Sequence, residues 1–284
     1  MNARRRAVLA LTLCCIASSA DAQHRFTTDA LVGLDQIPLV VHDLDAAEDV
    51  WRRLGFLVKP GRPQPNGIDS AYVRFEDGSG IELVSVPAAV DEQSTAYRVL
   101  LDEAEGPASF TFHARDLGAV QNALQGSPFK YGTVSRTFDK PTLDYLRLTQ
   151  DSRAPDDAAW LNHRNGASAL SRVWFAVSRR DGRDLERLLA ALKAEVTGAK
   201  VYAPKAVQAT VATVGNGEVL ILPDAHQLTP GRRIIGVTFE VEDLLELRRR
   251  LTDFGTPFTT GGALGMSIIV APEVTHGLWV EFRE

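Results

Sequence analysis

Cysteine is nearly missing from this chain of 284 residues: there are two, Cys14 and Cys15, and both fall in one apolar run near the amino terminus. Residues 1–22 read as a secretory leader, with the basic head Arg4-Arg5-Arg6, an apolar stretch from Ala7 to Ala17 and a small-residue cleavage site ending at Ala22. The stretch is shorter than the roughly 20 apolar residues of a spanning helix. A lipid-modified cysteine would want a small residue ahead of it, whereas Leu13 precedes Cys14. Cleavage after Ala22 removes both thiols, which excludes disulfides, thiolate nucleophiles and cysteine-bound metal from the body of the protein. The expected location is periplasmic or secreted, with no membrane attachment once the leader is gone. Positive charge is also scarce, with 31 Lys and Arg against 36 Asp and Glu for a net charge of −5, and the leader takes three of those arginines with it. Nucleic-acid binding leaves a basic footprint that this balance does not supply; Arg248-Arg249-Arg250 reads as the solvated face of a helix. There is no Gly-x-Ser-x-Gly elbow, no phosphate-binding Gly-Lys-Ser/Thr loop and no His-Glu-x-x-His. With 45% hydrophobic and 24% charged residues the composition is that of an ordinary globular protein, and the length suits two domains.

What is present is a repeat. The segment Gly33 to His42 is a strand running into Asp43; apolar residues at Leu44, Ala47, Val50 or Trp51, and Leu54 then keep helical spacing until Gly55. Strand patterns follow at Phe56–Lys59, Ser70–Phe75 and Ile81–Val86. The same grammar returns from Ser109 through Asp116 and Gly126 to Leu143–Leu148, from Ser171 through the stripe Leu185, Leu188, Leu189 and Leu192 to Glu218–Leu222, and from Ile234 through Asp243 and Gly255 to Glu281-Phe282. The interval Leu44 to Gly55 is matched by Leu244 to Gly255. Each unit reads as βαβββ, and one such unit of about 55 residues is marginal alone, so the four must pair. The closing strands are apolar on consecutive positions, which predicts sheets covered on both faces. The polar, proline-containing stretch Asp151–Ala159 is the best linker. The expected organisation is a leader over 1–22, a first domain of two modules over 23–150, a linker over 151–169 and a second domain of two modules over 170–284. The fold class is α+β, with four βαβββ modules paired into two concave half-barrel sheets and helices on the outer faces.

These four copies, opened by Leu34-Asp35-Gln36-Ile37 and closed in the first copy by Ile81-Glu82-Leu83, resemble the vicinal-oxygen-chelate superfamily. With His163-Arg164-Asn165-Gly166-Ala167 ahead of the third copy and the ending His276-Gly277…Glu281-Phe282, the chain looks like a glyoxalase-like domain protein of the glyoxalase, bleomycin resistance and extradiol dioxygenase type. The resemblance implies a concave pocket and, in metal-using members, a divalent ion (Zn, Ni, Mn or Fe) held by side chains from first and fourth strands. The first-strand places are Gln36, Ala108, Arg172 and Gly236, and the fourth-strand places are Glu82, Tyr145 or Arg147, Glu218 and Glu281. No histidine, the commonest transition-metal ligand, stands at any of them.

The metal ligands this mapping implies are Gln36, Glu82 and Glu281, with Glu281 joining only if the first copy pairs with the fourth. Glu82 is the candidate catalytic base, and its partner in a buried strand is a metal, a substrate or an arginine such as Arg74 or Arg147. Candidate substrate contacts are Arg147, His163, Asn165 and Trp174. His113 reads as a core histidine on the opposite face; His42 and His276 read as exposed turn residues, and Glu218 as solvated at a strand start. The leading reading is a small-molecule pocket with metal-assisted lyase, isomerase or dioxygenase chemistry on vicinal oxygens. The alternatives are a metal-free binding or sequestering protein and a structural protein with degenerate pockets. The expected partner is a small-molecule ligand, with a second copy of the chain as a candidate homodimer partner.

Overall fold

The computed structural model describes residues 30–132, 136–150 and 157–284. The expected leader and the start of the expected linker therefore lie outside the described residues. The first module comprises β1 (Leu31–Leu34), β2 (Gln36–Val40), α1 (Leu44–Arg53), β3 (Lys59–Pro60), β4 (Asp69–Arg74) and β5 (Gly80–Ser85). A connecting helix α2 (Glu92–Glu103) and β6 (Gly106–Pro107) lead into β7 (Phe110–Ala114), α3 (Leu117–Ala123), β8 (Tyr131–Gly132), β9 (Thr137–Phe138) and β10 (Leu146–Thr149). The third module is β11 (Ala167–Val177), α4 (Arg179–Ala191), β12 (Glu195–Tyr202), β13 (Ala206–Val214) and β14 (Gly217–Pro223). The fourth is β15 (Ile234–Val241), α5 (Leu244–Asp253), β16 (Thr259–Gly261), β17 (Ser267–Val270) and β18 (Trp279–Arg283).

The repeated aspartates act as helix caps. Asp43 accepts from Ala46 N at 3.0 Å, Asp116 from Ala119 N at 2.6 Å and Asp243 from Leu245 N and Glu246 N at 2.8 and 2.9 Å, while Ser178 takes the role ahead of α4. Each satisfies first-turn amides that have no intrahelical acceptor. At the other end Gly55 takes φ +93°, the left-handed conformation that ends α1.

In every module the first strand pairs in parallel with the last: β2 with β5, β7 with β10, β11 with β14 and β15 with β18. Modules then join through their first strands. β11 and β15 run antiparallel at the centre of an eight-stranded sheet ordered β12-β13-β14-β11-β15-β18-β17-β16. In the first half, β1 pairs antiparallel with β7 and β2 with β6, so the first module pairs with the second. A pairing of the first with the fourth, on which Glu281 depended, is not what forms.

Alternation along the strands separates two faces. Ile37, Leu39, Val73, Ile81 and Leu83 of the first sheet enter the same core as Val173, Phe175, Val237, Phe239, Val280 and Phe282 of the second. The ring centroids of Phe56 and Phe239 lie 5.0 Å apart, those of Trp51 and Phe239 6.2 Å and those of Phe110 and Phe175 5.6 Å. The halves thus share one core, to which α1, α4 and α5 contribute Trp51, Leu188 and Leu251. The turn between β13 and β14 also presses on β1: a Cβ at Gly215 (φ +60°) would sit 1.8 Å from the Val32 carbonyl oxygen, so only glycine allows this approach.

Because both halves feed this core, Phe239→Ala is expected to destabilise the whole chain by about 3–5 kcal/mol, with both halves lost in one urea transition. Two separated transitions followed by circular dichroism would show that the halves stand independently.

Candidate functional site

The faces turned away from the shared core form two cups, and the protein treats them differently. In the first, Tyr72 and Glu82 are direct cross-strand partners, with Gln36 on the same face. The Gln36 amide nitrogen donates to Glu82, and the Tyr72 hydroxyl hydrogen-bonds to the same carboxylate. Burial pushes the Glu82 carboxyl above its usual range, against the hydrogen bonds from Tyr72 and Gln36 and the charge of Arg74. The partner of Glu82 is therefore supplied by the protein, through Gln36 and Tyr72. Arg147 stands on β10 of a separate three-stranded sheet, β1-β7-β10, opposite Thr111 by register and on the face away from the core residues Leu146 and Leu148, and its guanidinium donates to the carbonyls of Asp144 and Leu146. His113 departs from the core assignment; it is partly exposed, with Nε2 3.0 Å from the Gln150 carbonyl oxygen.

Helix α2, which sequence reading missed, fills this cup. Its Tyr97, Leu100 and Leu101 pack on Val40, Ile68, Val84 and Val86, and burial pushes the Tyr97 phenol up to about 12. Asp91 and Ser94 form a capping box at its start. Its end is held from the second half, where Arg232 donates to the carbonyls of Leu100 and Ala104 and His276 pairs with Glu105 at 2.8 Å. His276 is accordingly tied down rather than a free turn residue.

His163 and Asn165 do not reach either cup. The His163 ring packs edge-on against Phe56 and Phe75 at 5.2 and 4.9 Å, within the shared core. Its Nδ1 accepts from Leu57 N at 3.0 Å and its Nε2 lies 2.9 Å from the Arg74 carbonyl oxygen, which fixes the neutral ring with the proton on Nε2. Asn165 donates to the Leu54 carbonyl at 3.0 Å and accepts from Ala167 N at 3.0 Å, closing the end of α1 from the other half of the chain. Both residues are pins between halves.

The second cup holds the open space. Its upper part is closed by its own side chains: Trp174, Leu220 and Leu222 of the sheet meet Ala203, Val207 and Val211 of the β12–β13 hairpin. Below them remains a hollow of about 550 Å³ bounded by Arg172, Lys200, Tyr202, Glu218, Glu281 and Arg283 among others. By register Glu218, Arg172, Thr238 and Glu281 form one row across β14, β11, β15 and β18. Arg172 Nε donates to Glu218 at 2.5 Å, so Glu218 is an ion-pair partner rather than a solvated strand end. Trp174 Nε1 donates to Thr238 Oγ1 at 3.0 Å, and Thr238 donates to Glu281 at 2.8 Å. Trp174, fully buried in the closed upper part of the same cup, therefore orients Thr238 and is not among the residues bordering the hollow.

The metal expected from the resemblance fits neither cup. Gln36 and Glu82 lie on one sheet and Glu281 on the other, each on the face turned away from the shared core, so the three cannot meet on one ion. Among the described residues no group of three or more His, Cys, Asp or Glu is placed to hold a metal. Beside Glu281 stand a threonine and two guanidiniums, which offer positive charge where an ion would need donors. Of the residues expected to act, Gln36 and Glu82 bond directly, and Trp174 and Glu281 are joined through Thr238. Thr238, Arg283 and Lys200 carried no signal in sequence.

Burial pushes the His163 imidazole down to about 4. In the unfolded chain this ring has an ordinary value near 6.5 and takes up a proton first as the pH falls, so stability should decline from about pH 6.5 toward pH 4 by at most about 1.4 kcal/mol per unit. Replacing His163→Gln is expected to flatten that slope in denaturation measured across this window; an unchanged slope would assign it to other groups.

Residues 34–145 match the glyoxalase-like domain family model. No curated protein matches the sequence. Among solved structures, a xylose isomerase-like TIM barrel/4-hydroxyphenylpyruvate dioxygenase fusion protein superposes with TM-score 0.63 at 12% identity over 89% of this chain, which spans 49% of that protein. A mutant of 4-hydroxymandelate synthase from Streptomyces coelicolor gives TM-score 0.63 at 15% identity, covering 89% of this chain and 92% of that one. A catechol 2,3-dioxygenase gives 0.60 at 13% identity, covering 89% and 92%. At such identities the likeness is one of fold. With four βαβββ modules joined through their first strands, the chain carries the vicinal-oxygen-chelate fold of these neighbours, and its residues 34–145 are similar to the glyoxalase-like domain family.

Proposed function

We propose that this is an exported small-molecule binding protein whose ligand occupies the hollow of the second cup without a metal. The observation that carries the reading is the placement of Arg172: it stands at a first-strand place where the resemblance puts a metal ligand, ion-paired to Glu218 and next to Thr238 in the row that ends on Glu281. A cation fixed there opposes a second cation and favours polar organic groups. The volume, about 550 Å³, is in the range of small-molecule sites. The first cup is less suited to this role, because α2 covers it and Glu82 already has protein partners. The metal-assisted reading with Glu82 as ligand or base has less support for the same reason. Export is supported by the leader pattern of residues 1–22, and no helix among the described residues is long and apolar enough to cross a membrane.

The test is thermal unfolding of the chelator-stripped chain. Zn, Ni, Mn and Fe(II) salts are expected to leave Tm unchanged. A small-organic library should contain compounds that raise it, because selective binding to the native state stabilises that state. Filling the hollow with Ala199→Phe should remove those shifts. A metal-induced rise that Glu82→Gln abolishes would overturn the proposal in favour of the metal-assisted reading.

A further inference from the structure

The polar groups around the second hollow are not equally engaged. Glu218 is taken by Arg172 at 2.5 Å, Glu281 accepts from Thr238 at 2.8 Å, and Glu284 accepts from Leu244 N at 2.8 Å. Arg283 differs: it borders the hollow, is partly buried, and its guanidinium donates no hydrogen bond among the described residues. A guanidinium carries five N–H donors in a planar fork, and those of Arg283 have no protein acceptor among the described residues yet are not sealed from solvent, so they stay available to a ligand. Burial and the neighbouring charge of Arg172 both hold the Arg283 guanidinium below its ordinary value, against the pull of Glu218, Glu281 and Glu240. Two guanidiniums thus share the hollow; Glu218 is spent on Arg172 and Glu281 accepts from Thr238, while Glu240, opposite Arg283 by register, makes no ion pair with it among the described residues.

The remaining lining mixes polar side chains, Thr197, Lys200, Tyr202 and Ser267, with apolar ones. Ala199, Val201 and Val211 border the same space from the hairpin, and Met266, 66% exposed, stands at its rim beside Leu264, 96% exposed and held at φ +64°. A leucine in the left-handed region is uncommon, and with Met266 it presents apolar surface at this end of the cup. Both features suit a site that receives a molecule with one charged end and one apolar end.

We infer that the second cup takes a small carboxylic acid with an apolar body, its carboxylate bound by the fork of Arg283 and its body lying against Val201, Val211 and Met266. A carboxylate can accept two parallel N–H bonds from one guanidinium, a strong and orientation-specific pair. The inference rests on the second cup being the binding site and deepens that reading by naming the ligand class and its anchor.

The experiment compares acids with their uncharged isosteres on the full chain: benzoate, phenylacetate and cinnamate against benzamide, phenylacetamide and cinnamamide, read by thermal unfolding and isothermal titration. At least one acid should raise Tm by about 2–4 °C near saturation, and its amide should not. Arg283→Met should weaken that acid at least about tenfold, while Arg283→Lys keeps part of the binding as a point charge without the fork. Circular dichroism should show both variants folded. If amides bind as well as acids, or Arg283→Met leaves acid binding intact, and Ala199→Phe still abolishes it, the hollow remains a binding site and the carboxylate assignment falls. If none of the acids binds while uncharged library compounds do, the assignment falls likewise. If no compound of either set binds, the proposed function falls with it.

Discussion

A β-sheet whose strands are apolar on both sides must find cover for each side, and this requirement organises the molecule. One side is met in common: the two sheets share a core in which Phe56, Phe75, Phe239 and Phe282 interlock. The other side of each sheet has to be covered separately, and the halves do so with different material. The first uses a helix, α2, whose Tyr97, Leu100 and Leu101 complete a small cluster of their own. The second bends the long β12–β13 hairpin over its cup. A hairpin covers the aromatic end of the cup and leaves the polar end open, which is why the hollow lies where it does.

Electrostatics follows from cover. Under α2 the Glu82 carboxylate is enclosed, and neutral donors from Gln36 and Tyr72 satisfy it. In the open cup charge is retained, and Arg172, Glu218, Glu281 and Arg283 line one space. Both cups descend from one strand pattern, yet one presents a closed hydrogen-bonded carboxyl and the other a set of opposed ions.

The modules and their helices were legible in sequence because their signals are local. Asp43 with Gly55 and Asp243 with Gly255 mark helix ends by capping chemistry that acts over a few residues. Gln36 with Glu82 was found because both belong to one module whose internal pairing the repeat dictates. The placement of Glu281 depended on which modules join, and strand patterns do not encode that. His163 and Asn165 were marked as notable, but their partners at Leu57, Arg74 and Leu54 lie about a hundred positions away, so a pin between halves could not be told from a pocket residue. Helix α2 lacks a strong apolar stripe, since Tyr97, Leu100 and Leu101 are its principal packing residues; the capping pair Asp91 and Ser94 was the signal available. Arg283, one of many arginines, became distinctive only once its neighbours' partners were known.

The packing of α2 bears on how such a chain can diversify. Its contacts form a cluster distinct from the aromatic core, and its anchors to the second half are the Arg232 and His276 contacts at one end. A duplicated scaffold assembled this way can exchange the insert covering a cup while the load on its central rings stays the same. Tandem descendants of one ancestral unit could therefore trade which of their two vessels is sealed and which is for hire, without renegotiating the fold.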